Sequence, residues 1–199
     1  RTCKIYFRSR SYKKNKLPGD FQRMVHDIKQ KIVCSGNPDG HPDDHTWQHT
    51  VAHGVREYLP DTKFVHSSNG HDLRLWDDQR RNSFVDLIKD STVFINASKI
   101  YQLGQLQLLN LAYETAIEHN IQNYTVINIG STAEFDPTQF EMYSIEKNAL
   151  KERSRQLASK GFRSSHITIG NLDHVMGIGK TIKLVLEHDP FLSMVKIEH

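Results

Sequence analysis

The chain has 199 residues, 37% hydrophobic and 25% charged, which suits one soluble globular domain with a sizeable core and argues against a disordered chain. No apolar stretch approaches the roughly 20 residues of a membrane helix, and the first residues lack the apolar core of a secretory leader. The net charge of +3 is uneven: residues 1–19 hold seven basic groups and no acid, so the remainder is net negative.

A basic arm can touch nucleic acid or another polyanion. Here the remainder is acidic and no nucleic-acid motif follows. Cys3-Lys-Ile-Tyr-Phe-Arg8 alternates as an edge strand does, so the arm reads as a solvated edge strand or tail, with neither nucleic acid nor membrane as partner. Leu17-Pro-Gly-Asp20 is a turn, and Asp20 can cap a helix to about Gln30. Residues 1–30 thus form an arm and helix ahead of a domain over residues 31–199.

Lys31-Ile-Val-Cys34 reads as a strand, followed by the loop Ser35-Gly-Asn-Pro-Asp-Gly-His-Pro42. Cys34 is a buried small hydrophobe, and with only Cys3 beside it no bridge or metal spacing arises, so a reducing, cytoplasmic setting is expected. A helix is expected over Asp44–Tyr58, ending before Pro60. Lys63–His66 is a second strand, Ser67–Gly70 its turn, and Asp72–Trp76 a short third strand. Asp77–Lys89 is helical, with Phe84, Leu87 and Ile88 inward. Thr92–Asn96 is a strand and Gln105–Asn120 a long helix. The apolar run from Tyr124 gives another strand, and a helix carries Tyr143 to about Lys160. Ser165–Ile169 is a strand, Ile178–Glu187 a helix and Met194–Ile197 a final strand. This alternation means a three-layer, doubly wound, mainly parallel α/β sheet of Rossmann type in a single domain.

The chemistry concentrates at Tyr143-Ser-Ile-Glu-Lys147, twelve residues after Ser131. Side chains four apart share one helix face. Ser131 emerges at the C-terminal end of its strand, where open α/β sheets bind ligands. A lysine charge stabilises phenolate and lowers the tyrosine pKa, while a serine hydroxyl can hold a carbonyl or carbinol oxygen.

Two other signals compete. His41, His45, His49 and His53 recur every four residues and would share one face of a continuous helix. Pro42 interrupts that helix and no cysteine joins the group, so no metal site is expected. Gly177-Ile-Gly-Lys-Thr181 lacks the glycine that a phosphate-binding loop needs five residues before Gly179, where His174 stands.

In order over residues 31–199, the motifs resemble the short-chain dehydrogenase/reductase family. Ser35-Gly-Asn-Pro-Asp-Gly40 is similar to its glycine-rich dinucleotide loop, Asp72-Leu73 to its adenine-contacting acid, and Asn96-Ala-Ser98 to its Asn-Ala-Gly segment. Asn110 stands for the helix asparagine. Ser131, Tyr143 and Lys147 stand for the serine, tyrosine and lysine, and Ile169-Gly170 for the segment beside the nicotinamide. The resemblance implies NAD or NADP as cofactor, bound through Ser35, Gly36, Gly40, Asp72, Asn96, Ala97, Lys147 and Gly170. It also implies a small carbonyl or alcohol substrate. Tyr143 would act as acid or base, Lys147 would tune it, Ser131 would orient substrate, and Asn110 would anchor a relay water. A homodimer or homotetramer through the Gln105–Asn120 and Tyr143–Lys160 helices is implied as well.

The chain departs from the pattern at Pro42, which replaces the third glycine and offers no N–H to phosphate. About seven extra residues follow the loop, and the substrate-covering segment after Asp173 is short. No acid or arginine at the second strand's end selects NAD over NADP. These departures keep a second reading open: a catalytically weakened relative that serves as a binding or regulatory protein.

Overall fold

The computed structural model describes residues 4–8, 30–39, 50–75, 77–98, 103–135, 138, 141–170, 175–188 and 194–198. Among them run the strands β1 (Lys4–Arg8), β2 (Ile32–Ser35), β3 (Lys63–Val65), β4 (Val93–Asn96), β5 (Thr125–Ile129), β6 (Arg163–Thr168) and β7 (Met194–Glu198). The helices are α1 (Val51–Tyr58), α2 (Asp78–Lys89), α3 (Gly104–Glu118), α4 (Glu141–Ser159) and α5 (Val175–His188). The strands make one sheet in the order β1-β7-β6-β5-β4-β2-β3. Every pairing from β3 across to β7 is parallel, and β1 closes the other edge antiparallel to β7. This is the doubly wound α/β sheet expected, with the basic arm's strand on its edge.

Helices cover both faces, so consecutive strand residues enter two different cores. Cys34, Ile95, Ile127 and Ile167 pack with Val55 of α1 and Ile178 and Ile182 of α5. Val33, Phe94 and Val126 pack with Phe84 of α2, Leu108 of α3 and Leu150 of α4. The Phe84 and Phe94 rings meet edge to face at 5.2 Å. Each such buried side chain contributes about 1.5–3 kcal/mol. Cys34 is fully buried, and burial pushes its thiol pKa up, so it is inert filling.

Gly179, beside Lys180, has a packing role. A Cβ on Gly179 would overlap the carbonyl of Gly54, so α5 and α1 cross backbone against backbone.

Two expected elements are different in the structure. Residues 71–75 form no strand. Asp72 accepts from the main-chain N–H of Arg74 at 3.1 Å and from its guanidinium at 2.6 and 2.7 Å, and from Arg80 Nε at 3.2 Å. That curl withdraws the Arg74 backbone donor from any ladder, while Leu73 still plugs the core. The helix expected from Asp44 begins, among the described residues, at Val51. Thr50 is extended (φ −86, ψ 144), and its hydroxyl caps the helix by accepting from His53 N–H at 3.1 Å. Of the four histidines in the ladder, His53 on α1 is among the described residues and His49 is not. The turn at Leu17, the Asp20 helix, Gly40, His41, Pro42, His45, Trp76 and residues 171–173 lie outside the described residues.

Candidate active site

The site is built on a strip of polar side chains at the C-terminal half of the central strands. Asn96 and Asn128 are register partners on β4 and β5, and both are fully buried. Asn96 Nδ2 donates to Asn128 Oδ1 at 3.1 Å and to the Gln105 carbonyl at 2.8 Å. Asn128 Nδ2 in turn donates to the hydroxyls of Ser154 on α4 and Ser164 on β6, both at 3.3 Å. These bonds tie α3 and α4 to the sheet at fixed positions, while Asn96 Oδ1 is buried with no hydrogen-bond partner among the described residues.

Lys147 sits at the end of this strip with only 6% of its surface exposed. Its ammonium donates to the Ile129 carbonyl at 2.8 Å and to Gln105 Oε1. Gln105 Nε2 donates to the Asn96 carbonyl at 2.7 Å, which locks the amide in place. The ammonium also lies 5.3 Å from the centre of the half-buried Tyr143 ring, within cation–π range. Tyr143, Lys147, Gln105, Leu103, Leu106 and Glu146 line a cleft of about 10 Å³, the room of one water molecule. The i, i+4 spacing thus brings Tyr143 and Lys147 together, and Lys147 grips the strand end two residues before Ser131.

Ser131 opens the turn after β5. Its N–H donates to Glu134 Oε1 at 2.9 Å, and its hydroxyl accepts from Ala133 N–H at 3.3 Å. Glu134, in the 3-10 turn Thr132–Phe135, also accepts from His166 Nε2 at 2.8 Å and Thr168 Oγ1 at 3.2 Å, and pairs with Lys151 at 3.2 Å. A Cβ on Gly130 would overlap both Glu134 Oε1 and His166 Nε2, so only glycine leaves room for this contact.

At the other strand ends, Ser35 is a latch. Its hydroxyl donates to the Ile95 carbonyl at 3.2 Å and accepts from Ala97 N–H at 2.8 Å and Ser98 N–H at 3.0 Å. The start of the loop after β2 and the Asn96–Ala97 segment are thereby adjacent. Gly36 has φ +135, donates its N–H to the Val65 carbonyl at 3.0 Å, and would set a Cβ 3.1 Å from Ala52 Cβ on α1. The chain therefore passes the first turn of α1 with little room for a side chain, in a backbone conformation that favours glycine. Gly170 follows β6 on the same side of the sheet.

Two candidate residues have other occupations. Asn110 accepts from Arg153 Nε at 2.7 Å, well away from Lys147. Five residues separate it from Gln105, about 7.5 Å along the helix and on a different face. The amide that reaches Lys147 is Gln105. Asp72 has both carboxylate oxygens engaged by arginines, and the bond from Arg74 leads in holding its pKa down to about 2.

Gln105, Asn128, Glu134 and His166 escaped the motifs, though Gln105 and His166 left a trace. Gln105 precedes Leu108, Leu109 and Ala112 by three, four and seven residues and so shares their buried face. Ser164, His166 and Thr168 alternate inside a strand buried on both sides, which marks a polar face.

No protein-family model matches the chain, and no curated protein matches it in sequence. Its fold matches solved structures. A short-chain dehydrogenase from Sphingobium yanoikuyae in complex with NADPH aligns at TM-score 0.54 and 13% identity, over 88% of this chain and 81% of that one. A Brucella melitensis short-chain dehydrogenase/reductase of the glucose/ribitol dehydrogenase kind aligns at TM-score 0.60 and 10% identity, over 84% and 95%. An apo SCOR enzyme from Clostridium thermocellum aligns at TM-score 0.58 and 14% identity, over 85% and 92%. The fold of this chain is that of the short-chain dehydrogenases/reductases.

Proposed function

We propose that the chain is an NAD(P)-dependent oxidoreductase acting on a small carbonyl or alcohol compound. The observation that carries this reading is the buried Lys147 ammonium, held by the Ile129 carbonyl and Gln105 and set against the Tyr143 ring at the strand end. A fixed positive charge there favours the phenolate form and tunes Tyr143 for proton transfer. In reduction Tyr143 gives its proton to the substrate oxygen, and in oxidation it takes that proton back. Ser131 orients the same oxygen.

A nicotinamide dinucleotide supplies the hydride when bound. The residues present fit it: Gly36 brings the backbone against the first turn of α1, and a helix start favours a pyrophosphate. Ser35, Gly36, Asn96, Ala97, Lys147 and Gly170 would hold it, with Gly40 in the same loop. At the adenine end it would meet Asp72 together with Arg74 and Arg80 rather than a lone carboxylate. The Sphingobium yanoikuyae enzyme, with NADPH bound, supports this class of cofactor.

A homodimer or homotetramer through α3 and α4 belongs to the same proposal. Met142 and Ile145, in the first turns of α4, are 69% and 50% exposed, apolar side chains that a partner face would cover. Light scattering at micromolar concentration tests this, and a monomer counts against it.

A second reading is a binding or regulatory protein with weakened catalysis. It is favoured by the engagement of Lys147 with two internal acceptors and by a cleft with room for one water. Titration of NADH and NADPH followed by protein fluorescence, then by turnover, separates the two. Binding with turnover that Tyr143→Phe abolishes supports the enzyme, and binding without turnover supports the second reading.

A further inference from the structure

The Glu134 carboxylate lies in the turn that begins at Ser131 and folds back beneath it. Its side chain is 0% exposed and that of His166 is 1% exposed, so the pair is sealed from solvent. Its partners reach every neighbouring element. Ser131 N–H lies at 2.9 Å, His166 Nε2 at 2.8 Å and Thr168 Oγ1 at 3.2 Å, the last two from β6. Lys151 of α4 pairs with it at 3.2 Å, and Asn148 Nδ2, also of α4, donates to its main-chain carbonyl at 3.0 Å. Tyr143, Lys147 and Lys151 form one i, i+4, i+8 row on α4. The carboxylate that accepts from Ser131 therefore grips the row of Tyr143 one turn beyond Lys147.

We propose that the Glu134–His166 pair is a positioning element that fixes Ser131 relative to the Tyr143–Lys147 row. The inference rests on the oxidoreductase reading above. Glu134 is a positioning residue and touches no reacting atom. Lys147 and Lys151 of α4 and Glu134 are the charged groups whose fields act on His166. Burial pushes the His166 pKa down, against the raising effect of Glu134. Burial works to raise the Glu134 pKa, but His166, the Ser131 N–H and the Lys151 charge together outweigh it and the net shift is down. A neutral imidazole with its proton on Nε2 thus donates to an ionised carboxylate. That fixes the tautomer, and with it the angle at which the Ser131 turn leaves β5.

A purely structural pair would lower stability and leave the folded enzyme's chemistry alone. A positioning pair must act through Ser131, which a double-mutant cycle reads directly. Glu134→Gln keeps the side chain's shape and an oxygen for Ser131 N–H but removes the charge. His166→Gln attacks the pair from its other side, should the first variant fold poorly. The probe is NADPH-driven reduction of 9,10-phenanthrenequinone, in which the dicarbonyl takes a hydride and a proton and NADPH becomes NADP. Either substitution is expected to lower kcat at least tenfold while the NADPH Kd stays within twofold. In a Ser131→Ala background the same substitution should change kcat less than twofold. An unchanged kcat in the single variants, or an equal loss in both backgrounds, overturns the inference alone. A wild type that binds no dinucleotide and reduces no quinone overturns the oxidoreductase reading, and this inference with it.

Discussion

The ammonium of Lys147 stands 5.3 Å from the centre of the Tyr143 ring while it donates 2.8 Å to the carbonyl of Ile129. A lysine so held is anchored at one side by the strand and faces the phenol at the other. Its charge is buried, so the field it exerts on Tyr143 is screened far less than on a surface.

Gln105, rather than Asn110, should matter for that field. Gln105→Leu is expected to leave Lys147 with one acceptor fewer and to reduce turnover about tenfold, since a charge-assisted hydrogen bond is worth about 1.5–3 kcal/mol. Asn110→Ala, which removes only an acceptor for Arg153, should leave turnover within about twofold, in line with a partly exposed contact. Steady-state kinetics of the two variants side by side checks the assignment.

Gly130→Ala should be strongly destabilising, because its Cβ would push apart the sealed Glu134–His166 contact. Breaking a buried charged contact costs about 3–5 kcal/mol. Urea unfolding of the variant is expected to show a loss of that order, and a loss below about 1 kcal/mol would mean the turn relaxes freely.

Gly179→Ala tests the fold apart from the chemistry. The added methyl must part α5 from α1 at the Gly54 carbonyl, and such overpacking costs about 1–3 kcal/mol. Thermal unfolding should register it as a lower Tm.

Much of this was legible in the sequence, for reasons that vary by residue. Val33, Phe94 and Val126 lie in short apolar runs between longer helical patterns, and that rhythm alone implies the parallel sheet. Tyr143 and Lys147 meet because helix geometry brings i and i+4 together whatever surrounds them. Residues 71–75 misled because Asp72 bonds the backbone of Arg74 two positions on, a local tie that alternation does not encode. Asn110 accepts from Arg153, and an amide within a helix says nothing of its azimuth, which the buried face through Gln105, Leu108 and Ala112 does supply. The Glu134–His166 pair spans 32 residues and forms only when β5 and β6 are already side by side.

Acid stability should carry the mark of His166. Its folded pKa is below the ordinary 6.5 because burial disfavours the imidazolium, so below pH 6.5 the unfolded chain binds the proton more readily. Stability therefore falls as pH drops from about 7 to 5. Glu134 and Asp72, both lowered, add stability that is present above the ordinary carboxylate range and lost as pH falls below it. Urea midpoints at pH 7 and 5 should differ less in His166→Gln than in wild type, and an unchanged difference would exclude His166 as a contributor.

The oxidoreductase reading is tested most directly by comparing wild type with Tyr143→Phe for NADPH affinity and for turnover of an activated dicarbonyl. The ring remains in the variant and only the proton donor is lost. The expected result is a Kd within about twofold and a kcat reduced at least a hundredfold, the range of general acid catalysis. A Tyr143→Phe enzyme as active as wild type, or a wild type that binds neither NADH nor NADPH at millimolar concentration, would contradict it.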